Sequence, residues 1–269
     1  MKGPATVLLL AGSRGVADPV AVAAGVPHKA LAPVHGQPMI AHVLAALTAM
    51  PEVRRIVLVC DQPDQLRRAD AVAHAEASGV LTMAPAGPSP SRSILDSLDR
   101  PEASPPLLVA TADAPLLTPE FVRHFWSAVP ADADIAAAVT AGAGIRARFP
   151  GSRRTFLRFS DGDFCGCNLF ALRTPEARRV VAFWRRLEDH RKQPLTMAAM
   201  LGPGMILRYL LRRLSLDDAA RHISRRTGTR AAIVAIPFPE AAVDVDRPGD
   251  LPVAEQVLAE RGSGSVARG

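Results

Sequence analysis

A lysine in a chain that otherwise relies on arginine is the first residue that could do chemistry. Only three of the 32 basic residues are lysines: Lys2, Lys29 and Lys192. Lys29 stands in the stretch VPHKALAPVHGQPMI, shortly after a glycine-containing turn. A lysine ammonium is a compact point charge that can be buried against phosphates, whereas the arginine guanidinium is a planar fork. Lys29 is therefore a candidate phosphate ligand, and chance placement of a rare lysine is the alternative.

The turn before Lys29 has the composition of an anion-binding loop. The apolar run ATVLLLA ends at Gly12, and the turn continues as SRG. Gly12 and Gly15 would let the chain turn sharply and bring backbone N–H groups against an anion. Arg14 could hold phosphate oxygens through two nitrogens. The turn is neither a Walker A loop nor a GxGxxG fingerprint, so a plain βα turn is the alternative.

Two acidic elements supply candidate metal ligands. Asp113 follows the apolar segment LLVAT, so it would lie at the exit of a buried strand. Asp244 and Asp246 alternate in VDVD, and on an extended segment both would point to one face. Mg²⁺ is held by one or two carboxylates together with water and substrate phosphates. A turn or capping role for Asp113, and a solvated strand edge for the other two, are the alternatives.

The hydrophobic pattern predicts which elements position these residues. Through residue 140, apolar segments alternate with segments of helical periodicity, which indicates a parallel sheet with right-handed crossovers. The predicted strands are residues 5–11, 54–60, 80–84, 106–113 and 134–140, and the predicted helices are 38–50, 64–78, 91–98 and 118–129. Ligands of such sheets bind beyond the carboxyl ends of the strands. We therefore expect residues 12–15, residues 85–93 and Asp113 to meet at one edge of the sheet.

The pattern changes after residue 140. A basic hairpin or ragged strands are predicted before a strand at 168–173, and helices are predicted at 175–191 and in GMILRYLLRRL and LDDAARHISRRTG. Two more strands are predicted at 229–238 and 240–246, then a last helix in PGDLPVAEQVLAE. We expect residues 1–260 to form a single domain and residues 261–269 to be a disordered tail.

Charge is distributed unevenly along the chain. Residues 141–230 hold 19 Arg and Lys against 7 Asp and Glu, whereas the rest of the chain holds 13 against 19. This basic subregion predicts an anionic partner: a phosphorylated substrate, an anionic membrane face or nucleic acid. Few aromatic residues are available for stacking on bases, so no nucleic acid is expected. A solvated arginine-rich face is the alternative.

Several arginines of the basic subregion are candidates to receive an anionic acceptor. They are Arg153, Arg154, Arg158, Arg208, Arg212 and Arg213. The segment MILRYLLRRL mixes Leu and Ile with Arg at helical spacing, which suits a core-facing helix with a basic rim and also a membrane interface. The basic subregion is therefore expected to lie on the acceptor side, with peripheral membrane contact as a second interpretation.

Composition limits the classes of protein to which the chain can belong. No apolar run reaches the roughly 18–20 residues that span a bilayer. The short apolar stretch near the start of the chain favours a buried first strand over a signal peptide. Three cysteines in a chain of 269 residues indicate no disulfide framework and a reducing compartment, so a cytoplasmic location is expected. The spacing CGC is too short for a zinc site without nearby partners.

The motifs, taken in order, resemble the MobA-like NTP transferase family of nucleotidyltransferases. The chain has LAGSRG, HKALAPVHGQPM, DAP and DVDRPGDL. The corresponding family patterns are LAGGxGxR, PKxLxxxxGxPM, DxP and DIDTPxDL. The similarity extends over about residues 5–260 of the chain. It implies a Rossmann-like, GT-A-type α/β fold: a three-layer sandwich with a mostly parallel central sheet and a basic, partly helical region after the fifth strand.

The resemblance also implies roles for individual residues. Leu10, Ala11, Gly12, Ser13, Gly15 and Ser93 would contact the nucleotide. Lys29 and Arg14 would bind phosphates and offset charge in the transition state. Asp113 and Asp246 would hold Mg²⁺ with Asp244 assisting, and Mn²⁺ is the alternative metal. Asn168, in a segment similar to GxNxGxxxF, would contact the acceptor.

Some residues depart from the family pattern. Ser13 replaces a glycine, His28 stands where proline usually precedes the lysine, and VADPVAVAAGVPH lengthens the loop between them. The glycine expected after Asn168 is missing, and Arg92 is displaced from the position of the family's arginine. These changes leave the choice of base open.

The resemblance implies Mg²⁺-dependent transfer of a nucleoside monophosphate from an NTP to a small anionic acceptor, with release of pyrophosphate. The acceptor would be a phosphorylated sugar, a polyol or a lipid head-group precursor. A GT-A-type glycosyltransferase using a sugar nucleotide is one alternative, and a non-catalytic nucleotide-binding protein is another. Lys29 beside the turn LAGSRG favours a triphosphate donor over a sugar nucleotide.

Overall fold

A computed structural model of the chain describes residues 3–13, 18–151 and 154–266. The strands are β1 (Thr6–Ala11), β2 (Pro33–Val34), β3 (Gln37–Pro38), β4 (Arg55–Cys60), β5 (Leu81–Pro85), β6 (Leu107–Thr111), β7 (Ile135–Ala141), β8 (Leu157–Phe159), β9 (Gly162–Leu172) and β10 (Ala231–Ile236). The helices are α1 (Pro19–Ala24), α2 (Met39–Thr48), α3 (Pro63–Leu66), α4 (Asp70–Ala77), α5 (Pro90–Ser97), α6 (Pro119–Ala128), α7 (Gly142–Arg148), α8 (Ala177–Asp189), α9 (Pro194–Leu201), α10 (Pro203–Leu210), α11 (Leu216–Thr227) and α12 (Leu251–Val266).

The central sheet has the strand order β10-β7-β9-β6-β1-β4-β5, with β8 paired to β9 as a hairpin. Strand β1 pairs in parallel with both β4 and β6, β4 pairs in parallel with β5, and β7 pairs in parallel with β10. Strand β9 lies antiparallel between β6 and β7. The expected α/β fold with a mostly parallel central sheet is therefore confirmed.

Helices cover both faces of the sheet, which makes three layers. On one face, residues of α2, α4 and α6 pack on the strands, among them the fully buried Leu44, Val72 and Phe125. On the other face, α5 and α8 supply Ile94 and Val181. Strands buried on both faces consist of continuous apolar residues, which is why β1 and β4 are recognisable in the sequence.

The sequence expectations fail mainly where the parallel pattern ends. Residues 240–246, expected as a strand, form a 3₁₀ turn at Pro239–Ala242 and then an irregular extended segment. Strand β9 begins at Gly162, six residues before the predicted strand, because it continues past the sheet to pair with β8. Helix α7 occupies the first residues of the segment that was expected to form a basic hairpin or ragged strands, and a hairpin of β8 and β9 follows at its end.

Other helices also differ from the prediction, and the single helix expected over 64–78 is divided into α3 and α4. Helix α1 lies within the segment that lengthens the loop before Lys29, and Asp18 caps it by accepting hydrogen bonds from two backbone N–H groups. Helix α9 was not predicted. Helix α12 continues to Val266 and so extends into the segment 261–269 that was expected to be a disordered tail. Within the described residues, no helix combines the length and apolar character needed to cross a bilayer.

Candidate functional site

The carboxyl ends of four parallel strands meet at one edge of the sheet. Leu10 of β1 is aligned with Thr111 of β6, and Ala11 of β1 is aligned with Cys60 of β4. Cys60 is in turn aligned with Pro85 of β5. The residues that follow these strands therefore converge, as expected from the general rule for parallel sheets.

Lys29 lies at the centre of this edge. It begins a 3₁₀ turn, and the ring of His28 caps that turn by accepting a hydrogen bond from Ala30 N. Only 9% of the Lys29 surface is exposed. Its Nζ donates to Asp113 Oδ2 at 2.7 Å and to Asp246 Oδ1 at 2.8 Å. The three charged residues that the sequence singled out are therefore in direct contact.

Backbone hydrogen bonds hold the two carboxylates beside each other. Ala112 N donates to Leu10 O at 2.8 Å, which continues the sheet past the end of β6. Val245 N donates to Asp113 O at 2.8 Å, so the segment that carries Asp246 lies against the residue after β6. Asp250 Oδ2 then accepts from Asp246 N at 3.1 Å and fixes the turn into α12. The position of both acidic side chains is thus set by the main chain.

The electrostatic environment favours the ammonium form of Lys29. Burial opposes the charge, but attraction by Asp113 and hydrogen bonds to Asp113 and Asp246 outweigh burial, so the pKa of Lys29 is raised above its ordinary value. The positive charge of Lys29 in turn offsets the repulsion between two neighbouring carboxylates. The site is therefore a preformed cluster of one cation and two anions.

The donor atoms of this cluster fit a hard divalent cation. Asp113 Oδ1 and Thr111 Oγ1 are buried, and neither has a hydrogen-bond partner among the described residues. The carboxylates of Asp113 and Asp246 both contact Lys29 Nζ, so they lie close enough to share a cation. Mg²⁺ takes one or two carboxylate ligands from a protein, which is the number present in this cluster. Within the same part of the chain, no group of three or more His, Cys, Asp or Glu side chains is arranged around a common point. Water and substrate phosphates would complete the coordination.

Asp244 has different partners from Asp246. Its Oδ1 is paired with Arg154, and its Oδ2 accepts from Asn168 Nδ2 at 2.9 Å. Burial raises the pKa of Asp244, and although Arg154 opposes this effect, the nearby carboxylates of Asp113 and Asp246 add to it. The sequence suggested that Asp244 assists in metal binding, but the structure places it in an ion pair beside the carboxylate cluster. Its role as a metal ligand remains a prediction.

Asn168 has a left-handed backbone, with φ of 50°, a conformation that asparagine adopts more readily than most residues. It stands on β9, where the pairing with β7 shifts register between Ala137 and Val139. This irregularity accompanies the hydrogen bond from the amide to Asp244. The predicted contact of Asn168 with the acceptor is not tested by this arrangement.

A cavity of about 520 Å³ opens beside Asp244 and Asp246. Its lining also includes Arg154, Cys165, Gly166 and Arg247. Among the described arginines that were expected to receive an anionic acceptor, Arg154 lines this cavity. Arg158, Arg208, Arg212 and Arg213 are exposed and do not line it, and Arg153 lies outside the described residues.

The glycine turn is described only up to Ser13, because Arg14 and Gly15 lie outside the described residues. Gly12 does not have a left-handed backbone, and among the described residues a Cβ placed there would meet Ala86 Cβ alone, at 3.7 Å. The described part of the fold would therefore accept a methyl group at Gly12. The sharp turn expected over residues 12–15 lies partly outside the described residues, and the contact of Gly12 with a nucleotide stays a prediction.

Asp61, which was not among the predicted site residues, connects two of the departures from the family pattern, Ser13 and His28. Ser13 Oγ donates to Asp61 Oδ2 at 2.5 Å, and His28 Nε2 lies 3.5 Å from Asp61 Oδ1. Partial burial opposes ionisation of Asp61, but the Ser13 hydrogen bonds and the attraction of His28 outweigh it and lower the pKa of Asp61. An acidic residue directly after the second buried strand was the available signal.

Ser93 is buried and holds the loop that follows β5. Its Oγ accepts from Gly87 N at 2.9 Å. Gly87 approaches α5 so closely that a Cβ would lie 2.8 Å from Arg92 Cγ and 3.1 Å from Ser93 N. Arg92 itself is paired with Asp96 on the surface of α5. The structure therefore gives Ser93 a loop-positioning contact, and its predicted contact with a nucleotide remains untested.

A scan against protein-family models matches the MobA-like NTP transferase domain over residues 7–232. A search of curated proteins gave no match. Among solved structures, a hypothetical transferase from Thermus thermophilus is 31% identical, with a TM-score of 0.75 over 92% of this chain and 99% of the other. A 4-diphosphocytidyl-2C-methyl-D-erythritol synthase from Anaerococcus prevotii DSM 20548 is 12% identical, with a TM-score of 0.55 over 94% and 95% of the two chains. At that identity the second likeness concerns the fold alone.

Proposed function

We infer that this chain, which belongs to the MobA-like NTP transferase family, is a Mg²⁺-dependent nucleotidyltransferase that acts on a small phosphorylated acceptor. The observation that carries the proposal is the contact of Lys29 Nζ with both Asp113 and Asp246. Three distant segments bring one buried cation and two carboxylates to the edge of the sheet where ligands of such folds bind. Phosphoryl transfer depends on this type of charge arrangement.

The donor NTP would lie over the carboxyl end of β1. Backbone groups of residues 10–13 and the loop held by Ser93 border this region, and Arg14 and Gly15 are proposed to complete it. Asp61 Oδ1 also accepts from Ser13 N at 3.2 Å, so the start of the turn is already fixed before a ligand arrives. A preformed loop reduces the conformational entropy lost on binding.

Asp113 and Asp246 would hold Mg²⁺, which when bound supplies positive charge to the phosphate oxygens of the donor. Lys29 would then direct its ammonium from the carboxylates to the triphosphate. Because Lys29 is already buried and charged, little reorganisation is required during the reaction. The two carboxylates would thus pair with Lys29 before the substrates bind, and would hold Mg²⁺ once they are bound.

The reaction is a single in-line displacement. A phosphate oxygen of the acceptor attacks the α-phosphorus of the NTP, and a new P–O bond forms. The bond from the α-phosphorus to the oxygen bridging to the β-phosphorus breaks, and pyrophosphate leaves with that electron pair. Residues of this chain position the two reactants and stabilise charge, so no covalent intermediate with the protein is required.

The acceptor would occupy the cavity beside Asp244 and Asp246. Arg154 Nη2 donates to Asp244 O at 2.7 Å and lies 3.9 Å from Asp250 Oδ1, so the guanidinium is held in place by the segment that carries Asp246. A fixed guanidinium is suited to a phosphate group. This arrangement favours a phosphorylated acceptor over a neutral one.

The test is pyrophosphate release with each of the four NTPs, Mg²⁺ and a pool of phosphorylated sugars and polyols, followed by mass spectrometry of the product. We expect release with one NTP and a product heavier than the acceptor by one nucleoside monophosphate unit. Asp113→Asn is the inactive control, and Asp64→Asn, at an exposed surface site, is the matched active control. Consumption of a sugar nucleotide without pyrophosphate would contradict the proposal in favour of a glycosyltransferase. Nucleotide binding without turnover would contradict it in favour of a binding protein.

A further inference from the structure

Five of the six large apolar side chains that are exposed within the described residues belong to two neighbouring segments. Leu195 of α9, Leu207 and Leu210 of α10, and Leu211 after it are between 55% and 86% exposed. The fifth is Leu157 on β8. Strand β8 contacts α10 through a hydrogen bond from Arg158 N to Tyr209 Oη at 3.2 Å. We call residues 191–214 together with β8 the α9–α10 surface.

The fold does not bury this helix pair. Among the side chains described, none of α9 or α10 is buried. Leu207, Leu210 and Leu211 are spaced by three and four residues, so they form one apolar stripe along α10. Single exposed apolar residues are ordinary on a soluble protein, but a stripe of this kind beside further exposed leucines marks an interaction surface.

The charge of the α9–α10 surface identifies the kind of partner. Residues 191–214 contain five basic residues and no acidic residue: Arg191, Lys192, Arg208, Arg212 and Arg213. Arg208 is paired with Asp218, whereas no described carboxylate lies within 4.0 Å of Arg212 or Arg213. A second copy of the chain would place like charges against each other, which disfavours self-association through this surface.

We propose that the α9–α10 surface binds anionic phospholipid bilayers, with the leucines inserted at the interface and the arginines against the head groups. Interfacial helices combine an apolar stripe with Lys and Arg in this way, and their affinity depends on both. Arg154 and Thr155 line the acceptor cavity, and Leu157 follows two residues later. Docking through this surface would therefore place the mouth of the cavity close to the membrane.

The test measures sedimentation of the full chain with vesicles of phosphatidylcholine alone or with phosphatidylglycerol, and no nucleotide or acceptor is present. The result therefore does not depend on the proposed transferase activity. We expect binding only to vesicles that contain phosphatidylglycerol, and weaker binding as salt is raised. Arg212→Gln with Arg213→Gln should lower the partition coefficient about 30-fold, the combined effect of two basic residues near an anionic surface. Leu207→Ser with Leu210→Ser should lower it by at least about tenfold.

Control variants remove the same number of arginines, or an exposed apolar side chain, elsewhere on the protein. Arg54→Gln with Arg55→Gln loses two exposed arginines next to β4, and Val22→Ser changes the sixth exposed apolar residue, which is 65% exposed on α1. Both should bind vesicles as the unmodified chain does. Circular dichroism and thermal unfolding verify that each variant is folded.

Three results would overturn the proposal. One is failure of the unmodified chain to bind anionic vesicles at low salt, and another is unchanged binding of both α9–α10 variants. The third is binding to polyglutamate as tight as to vesicles and independent of the leucines, which would indicate an acidic protein partner instead. If the unmodified chain does not bind vesicles but dimerises, and Leu207→Ser with Leu210→Ser abolishes the dimer, the proposal is overturned. The partner would then be a second copy of the chain.

Discussion

Lys29 and Asp246 are 217 residues apart in the chain, yet Lys29 Nζ lies 2.8 Å from Asp246 Oδ1. The contact joins the turn after the first helix to the irregular segment before the last one. It depends on β6, because Val245 N is hydrogen bonded to the main chain of Asp113. The contacts of Lys29 therefore form only when all three segments are folded together. Substitutions of Lys29 and of its neighbours should separate effects on charge from effects on folding.

Lys29→Ala should lower turnover by roughly 10²–10³-fold, the cost of losing one charge-stabilising donor. The measurement is steady-state pyrophosphate release at saturating NTP and acceptor. Lys192→Ala removes an exposed lysine and is the control. Turnover of Lys29→Ala equal to that of the unmodified enzyme would exclude a catalytic role for this ammonium.

Lys29→Met should make the protein more responsive to Mg²⁺ in the absence of nucleotide. Without the ammonium, the carboxylates of Asp113 and Asp246 lose the cation that both of them contact, and a bound metal ion would offset more of their repulsion. Thermal unfolding with and without millimolar Mg²⁺ should show a larger increase in Tm for Lys29→Met than for the unmodified chain. The gain should disappear when Asp246→Asn is added, and persistence of the gain would place the metal elsewhere.

Gly12→Ala should leave the Tm unchanged and raise KM for the NTP roughly tenfold, equivalent to one lost hydrogen bond. Within the described parts of the chain, the added methyl group meets Ala86 Cβ alone, at an ordinary distance, so the loss is expected on the ligand side. Gly87→Ala is the contrasting variant, since its Cβ would collide with Arg92 and with backbone of α5. That variant should lower the Tm. An unchanged KM for Gly12→Ala would argue against a nucleotide on this turn.

Arg154→Ala should destabilise the protein by about 3 kcal/mol, because it leaves the largely buried Asp244 carboxylate without its cation. Denaturant unfolding measures this change. Adding Asp244→Asn removes the unpaired charge and should recover most of the stability. If Arg154 also holds the acceptor, the double variant keeps a raised KM for the acceptor while KM for the NTP is unaffected. Equal changes in both KM values would contradict a specific acceptor role.

Asp61→Asn should destabilise the protein at neutral pH and have a smaller effect in acid. The folded-state pKa of Asp61 lies below its ordinary value of 3.8, so ionised Asp61 stabilises the native state. This contribution is present above the ordinary pKa and is lost as pH falls through the lowered folded-state pKa. The difference in urea midpoint between the two proteins should therefore be largest near pH 7 and narrow below about pH 3.8. A difference that does not vary with pH would mean that the carboxylate charge is not involved.

Local pattern was sufficient for the parallel half of the fold and for the charged cluster. Strands β1, β4, β6 and β7 are largely apolar on both faces, which makes them visible as continuous hydrophobic runs, whereas the edge strand β5 includes the exposed Thr82. The ends of such strands share an edge, so the pattern alone predicts that Asp113 lies beside the residues that follow β1. The alternation in VDVD also made Asp246 a candidate ligand, but only the resemblance to the family assigned it to the same site as Asp113.

Reading the residues alone was enough to predict the layered α/β architecture and the sheet edge at which Lys29, Asp113 and Asp246 meet. Folding had to be known to show that Asp244 pairs with Arg154 and Asn168, that Asp61 joins Ser13 to His28, and that the described side chains of α9 and α10 are not buried. The difference lies in how far apart in the sequence the interacting residues are. Periodicity and strand ends follow from neighbours in the chain, whereas the partner of a buried charge and the covering of a helix depend on segments that meet only when the chain folds.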